Sequence, residues 1–121
     1  MSFSVNHVHL KTADPAATAK FYIENFGATV KSDIPGRGLQ LDLHGLQLNV
    51  TTIVREQNHE QHLGIEHIAV NTTDFDGTLS KLKTNGVTVL EELIGGSGSR
   101  VAFLACPDGA QVEIIEKKPE R

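Results

Sequence analysis

The sequence NHVHLKTADP at residues 6–15 returns as EHIAVNTTDF at residues 66–75, and this duplication restricts the folds open to the chain more than any other feature. His7 and His67 are offset by 60 residues, and so are Asp14 and Asp74. FGATV at 26–30 matches NGVTV at 85–89 with an offset of 59, and HGLQLN at 44–49 matches DGAQVE at 108–113 with an offset of 64. The second copy therefore carries five extra residues before its last strand, and the glycine-rich IGGSGSR at 94–100 is where they fit. A repeat this long, present only twice, reads as a duplicated supersecondary module and not as a solenoid.

Each copy has the same order of local signals. Residues 4–11 and 65–71 alternate as strands do. Asp14 and Asp74 stand where a helix N-cap belongs, with Pro15 suited to the first turn. Pro15, Ala19, Tyr22 and Phe26 in one copy, and Phe75, Leu79 and Leu82 in the other, form apolar helix faces that end at Gly27 and Gly86. Three β-like runs follow each helix: ATVKSDI, GLQLDLH and LQLNVTT, then VTVLEEL, RVAFLAC and AQVEIIE. The last pair in each copy turns on HG or PDG, both hairpin signals. The expected fold is α+β, a βαβββ module written twice: module one over about 1–53, a polar linker VREQNHEQHLG over 54–64, and module two over about 65–118.

A length of 121 residues suits one domain, 1–121, with a core large enough to need no disulfide. The balance of 11 Lys and Arg against 15 Asp and Glu, net −4, argues against a nucleic-acid partner. No apolar run approaches the roughly 20 residues that span a bilayer, and no signal pattern opens the chain, so neither a membrane partner nor export is expected. The single cysteine, Cys106, agrees with a reducing, cytoplasmic setting.

Alternate residues of a strand share a face, so His7, His9 and Lys11 lie opposite Val8 and Leu10, and His67, Ala69 and Asn71 lie opposite Ile68 and Val70. In the last strand of each module, Gln47, Asn49 and Thr51 oppose Leu46, Leu48 and Val50, while Gln111, Glu113 and Ile115 oppose Val112 and Ile114. Four strands thus offer one apolar face for a helix and one polar face. A merely wet face calls for Lys, Glu, Thr and Ser. This one sets His, His, Glu and an amide at matching places of the two copies, and imidazole with carboxylate is a ligand set for a borderline divalent ion.

These motifs resemble those of the vicinal oxygen chelate superfamily, the glyoxalase, bleomycin-resistance and extradiol-dioxygenase group. The resemblance lies in HVHLKTADPAATAKFYIENFG, in the second HIAVNTTD, and in the closing PDGAQVEIIE, and it runs nearly end to end. It implies that each module curls a mixed sheet into half of a cup-shaped site, with metal ligands projecting from the first and last strands: His7, Asn49, His67 and Glu113. Asn49 departs from the Glu or Gln usual at its position; its carbonyl can ligate but cannot abstract a proton, which leaves Glu113 as the only carboxylate at a ligand position. The implied function is a metal-dependent enzyme in which one divalent ion, Ni, Zn, Mn or Fe, chelates vicinal oxygens of a small substrate for lyase or isomerase chemistry. Glu113 or His9 then moves the proton. The same ligands also serve fosfomycin-type thiol transfer or a dioxygenase, and a metal-free bleomycin-resistance-like binder shares the fold. Similar two-module proteins imply a homodimer with sites shared between chains.

The remaining polar candidates carry two readings each. Lys11, Arg37 and Arg100 suit either an anionic substrate group or plain solvation. His59 and His62 in NHEQH read as a solvated linker, His44 as part of a turn, and Cys106 as no nucleophile. GGSGS is either a closing flap or a loose hairpin.

Overall fold

The computed structural model describes residues 2–118. Its contacts group into two compact units, one of His7–Glu66 and one of Met1–Asn6 with His67–Arg121. The βαβββ order appears twice, as expected. The first copy runs β1 (Phe3–Lys11), α1 (Pro15–Phe26), β2 (Thr29–Ile34), β3 (Gly38–Leu43) and β4 (Leu46–Thr51). The second runs β5 (Gly64–Thr72), α2 (Phe75–Thr84), β6 (Val89–Ile94), β7 (Arg100–Ala105) and β8 (Gln111–Glu116), with a 3-10 turn at Pro107–Gly109.

In the His7–Glu66 unit the strands lie in the order β2, β3, β4, β1; the first two pairings are antiparallel and β1 runs parallel to β4. The apolar sides of β1, β3 and β4 meet α1, so Leu10, Ala19, Leu41, Leu48 and Val50 are buried together, flanked by Val8, Tyr22 and Ile23. Ile23, not Phe26, completes the helix's inner face. Phe26 is 56% exposed, because it sits in the last turn, just before Gly27 turns the chain in the left-handed region (φ 74°). There its ring meets Phe21 edge-on, and its carbonyl accepts from His44 Nε2 at 2.6 Å. His44 itself has φ 53° beside Gly45 at 99°, the pair of positive values that a two-residue hairpin turn of type I′ requires.

The other unit repeats the arrangement as β5, β8, β7, β6, with β5 parallel to β8 and the rest antiparallel, and the start of β1 lies beside β5. Phe75 and Leu79 of α2 pack on Ala102, Leu104 and Ile114, with Leu82 alongside, as the helical spacing predicts. The GGSGS segment is a hydrogen-bonded hairpin turn: Gly95 N–H donates to the Ser99 carbonyl at 2.8 Å and Gly98 N–H to the Gly95 carbonyl at 2.9 Å.

Both helix starts use the expected aspartates, Asp14 accepting from Ala17 N–H at 3.1 Å and Asp74 from Gly77 N–H at 3.0 Å. Each is backed by a pair of threonines that local spacing did not reveal. Thr12 and Thr18 hydroxyls are 2.8 Å apart, and Thr72 and Thr78 hydroxyls 2.7 Å. The two pairs differ in burial: Thr72 is 0% and Thr78 3% exposed, whereas Thr12 and Thr18 are half-buried. Thr72→Val strands a buried hydroxyl, so it is expected to destabilise by about 1–3 kcal/mol, and Thr12→Val by less because water replaces the lost partner. Urea midpoints at unchanged m-value measure the difference; equal losses would show that burial does not govern it.

Candidate metal centre

The His7–Glu66 unit carries two histidines on one strand face. His7 and His9 project from β1 on the side opposite Val8 and Leu10, and their rings meet edge-on with centroids 5.5 Å apart. His7 is buried. Alongside, the parallel pairing sets His9 against Asn49 and Lys11 against Thr51. Asn49 is buried, and its Oδ1 accepts from Gln47 Nε2 at 3.1 Å. Lys31 Nζ donates to Gln47 Oε1 at 2.6 Å, and an ammonium only donates, so the Gln47 amide group is the end that faces Asn49. Asn49 Oδ1 keeps a second lone pair for a ligand role.

Lys11 is 1% exposed, which corrects its reading as a solvated strand end. The reason lies in the topology. β4 runs parallel to β1, so the chain leaving Thr51 brings the Thr52 carbonyl to the ammonium, which donates to it at 3.3 Å. His9 Nε2 is 2.6 Å from Thr51 Oγ1. In the sequence Thr51 is one more member of the polar face, and the only signal for it is its place in the same alternating series as Asn49.

In the His67–Arg121 part, the parallel pairing of β5 with β8 brings the two expected ligands together. His67 Nε2 lies 3.1 Å from Glu113 Oε1, with the His67 side chain 2% and the Glu113 side chain 14% exposed. Phe103 packs edge-on against the His67 ring at 5.3 Å and restricts its orientation. The two atoms are within direct ion-pair distance, and because ligand atoms held at about 2.0–2.2 Å in a tetrahedral site are themselves roughly 3.3 Å apart, they are also close enough to share one ion. Imidazole and carboxylate are a fitting donor set for a borderline divalent metal.

Arg100 donates to Asp76 at 2.8 Å and lies over the Phe75 ring, 4.5 Å from its centroid, while its side chain stays partly exposed. The Arg100 hydrogen bond, then its charge, holds the Asp76 carboxyl below its ordinary range. Arg37 is exposed in the turn between β2 and β3. His59 is buried, against the solvated reading, while His62 is exposed. The linker is folded because the Gln61 side chain clasps Val54, its Oε1 accepting from Val54 N–H at 2.9 Å and its Nε2 donating to the Val54 carbonyl at 2.7 Å. Cys106 is a half-buried free thiol.

Among the described residues no helix is long and apolar enough to cross a membrane. Comparison with known proteins supplies the family. The chain is 29% identical to Glyoxalase I of Saccharomyces cerevisiae, over 92% of this chain and 44% of that protein, so it spans less than half of that relative's length. The structure matches a hypothetical protein from Bacillus halodurans C-125 with a TM-score of 0.76 at 23% identity, covering 100% of this chain and 99% of that one. It also matches Streptomyces coelicolor methylmalonyl-CoA epimerase in complex with 2-nitronate-propionyl-CoA, with a TM-score of 0.69 at 26% identity, covering 93% and 96%. Residues 4–114 match one family over most of the chain, and the protein belongs to the Glyoxalase/Bleomycin resistance protein/Dioxygenase superfamily.

Proposed function

We propose that this chain is a metal-dependent lyase or isomerase acting on a small substrate with vicinal oxygens, held by His7, His67 and Glu113 with Asn49 as a fourth ligand. The observation that carries the reading is the 3.1 Å approach of His67 Nε2 to Glu113 Oε1, close enough for the two atoms to share one ion. The names of its relatives, among them a lactoylglutathione lyase and a methylmalonyl-CoA epimerase, favour lyase or isomerase chemistry.

A divalent ion bound there, Ni, Zn, Mn or Fe, supplies Lewis-acid polarisation of the substrate oxygens. The chain's own residues do the rest. Phe103 keeps the His67 ring in place, Gln47 orients the Asn49 amide, and His9, with Glu113, moves the proton. Each unit contributes half of the ligands: His7 and Asn49 lie in one, His67 and Glu113 in the other. In this reading the protein is a cytoplasmic homodimer, and each site joins His7 and Asn49 of one protomer to His67 and Glu113 of its partner.

Metal analysis of untagged protein after supplementation with each ion tests the core of this proposal. About one metal per site is expected, and occupancy below roughly a tenth would instead favour a metal-free binding protein. Assay of the loaded forms against α-oxo thiol adducts and acyl thioesters then separates lyase from isomerase. Asn49→Ala is expected to weaken metal affinity less than His67→Ala, because a neutral amide oxygen is the poorer ligand and already accepts from Gln47. Equal losses in a metal titration would make Asn49 a full ligand.

A further inference from the structure

We propose that the unit containing α2 carries a second binding site, a pocket that takes the aliphatic chain of a medium-length monocarboxylate while Lys81 at its mouth receives the carboxylate.

The pocket, of about 330 Å³, lies between α2 and the strand face that α2 covers, and its apolar lining includes Val70, Leu82, Val87, Leu104, Val112 and Ile114. All of it belongs to one compact unit. The same strands present the metal ligands on their other side: Glu113 stands between Val112 and Ile114 and turns to His67 instead. The pocket is therefore separate from the candidate metal centre.

Two observations set the chemistry of an occupant. The first is how little of the interior is polar. Thr78 is the one hydroxyl among the described lining residues; it is 3% exposed, and its oxygen already meets Thr72 Oγ1 at 2.7 Å. Such an interior gives water too few partners and suits a hydrocarbon. Phe3, 56% exposed, adds apolar surface at one side that an occupant covers. The second observation is the sign of charge at the mouth. Lys81 lines it from an exposed position on α2, and no carboxylate is among the described lining residues. Lys83, two residues on, is turned to Glu92 at 3.9 Å. One ammonium matches a singly charged anion, and the exposed Asn85 amide beside it adds neutral donors. An apolar cavity of about 150 Å³ holds one benzene, so about 330 Å³ suits a chain on the order of eight carbons.

Cys106 makes the test local, because it is the only cysteine, is half-buried and lines this pocket. In the full chain, treated with chelator, the rate at which iodoacetamide alkylates Cys106 is followed against octanoate kept below its micelle concentration. Octanoate is expected to slow the reaction saturably, with affinity rising about fourfold per methylene from butanoate to octanoate. Octylammonium is expected to give no protection. Lys81→Glu is expected to weaken octanoate binding by roughly tenfold or more, and Asn85→Trp to abolish it by closing the mouth. Glu113→Gln is expected to leave protection unchanged. Absence of protection by octanoate, equal protection by octylammonium, or protection that persists in Lys81→Glu overturns the proposal. So does its loss in Glu113→Gln, which would put the carboxylate at the metal centre. Positions 81 and 85 are exposed, and melts confirm that the variants fold; if one does not, the chain-length series and the octylammonium comparison in the parent protein decide.

Discussion

Replacing Glu113 with glutamine is expected to lower metal affinity by more than about 100-fold and to abolish turnover, a larger loss than the 10- to 100-fold typical of groups that merely support a ligand. The change keeps the shape of the side chain and removes its charge. Among His7, Asn49, His67 and Glu113 only Glu113 is a carboxylate, so the remaining three neutral donors have no anion with which to offset a dication. The substitution also leaves His67 Nε2, 3.1 Å away, beside a neutral amide. Metal content after dialysis and the dissociation constant for the best-retained ion measure the effect. A circular-dichroism melt near that of the parent shows that the fold has not been lost instead. Survival of both metal occupancy and turnover would mean that the metal site has been assigned to the wrong residues.

Mixing two inactive chains, His7→Ala and Glu113→Ala, is expected to restore activity where subunits exchange. The expectation follows from the proposal that protomers share their sites, His7 and Asn49 belonging to one compact unit and His67 and Glu113 to the other. If a site joins the first unit of one protomer to the second unit of its partner, a heterodimer holds one site with all four ligands and one site lacking both His7 and Glu113. Random exchange of equal amounts makes about half of the dimers mixed, each with one working site out of two, so recovery of about a quarter of the parent activity is expected. Sites built within one chain give no recovery at any ratio. A monomeric mass at assay concentration would end the shared-site proposal while leaving the ligand assignment to the Glu113 experiment.

How much of this was legible beforehand depended on the range of each interaction. The alternation of His7, Val8, His9 and Leu10 sorts side chains onto two faces whatever lies elsewhere in the chain, because the strand period is set by the backbone. Asp14 and Asp74 cap amides three residues ahead, and the pairing of His44 with Gly45 sets a turn within two residues. These features, the duplication, and the His, His, Glu pattern on one face were therefore open to inspection in the letters alone. Phe26 misled because its helical phase was nearly right while its position, at the last turn, carried it past the sheet that Ile23 reaches.

What the tertiary structure alone decided concerns partners far apart in the chain. Lys11 is buried beside a carbonyl 41 residues away that accepts from it, and no local rule separates it from a solvated lysine. His9 meets Thr51 across 42 residues, which is what turns an undirected histidine into an oriented one. His67 reaches Glu113 only because β5 and β8 run parallel in one register; a shift of one residue along either strand would have sent that side chain to the opposite face. Sequence by itself determined which residues share a face, since that is a matter of backbone period. Only the folded chain decided which of them touch, since strand order and register are set by the packing of α1 and α2 against sheets assembled from distant segments.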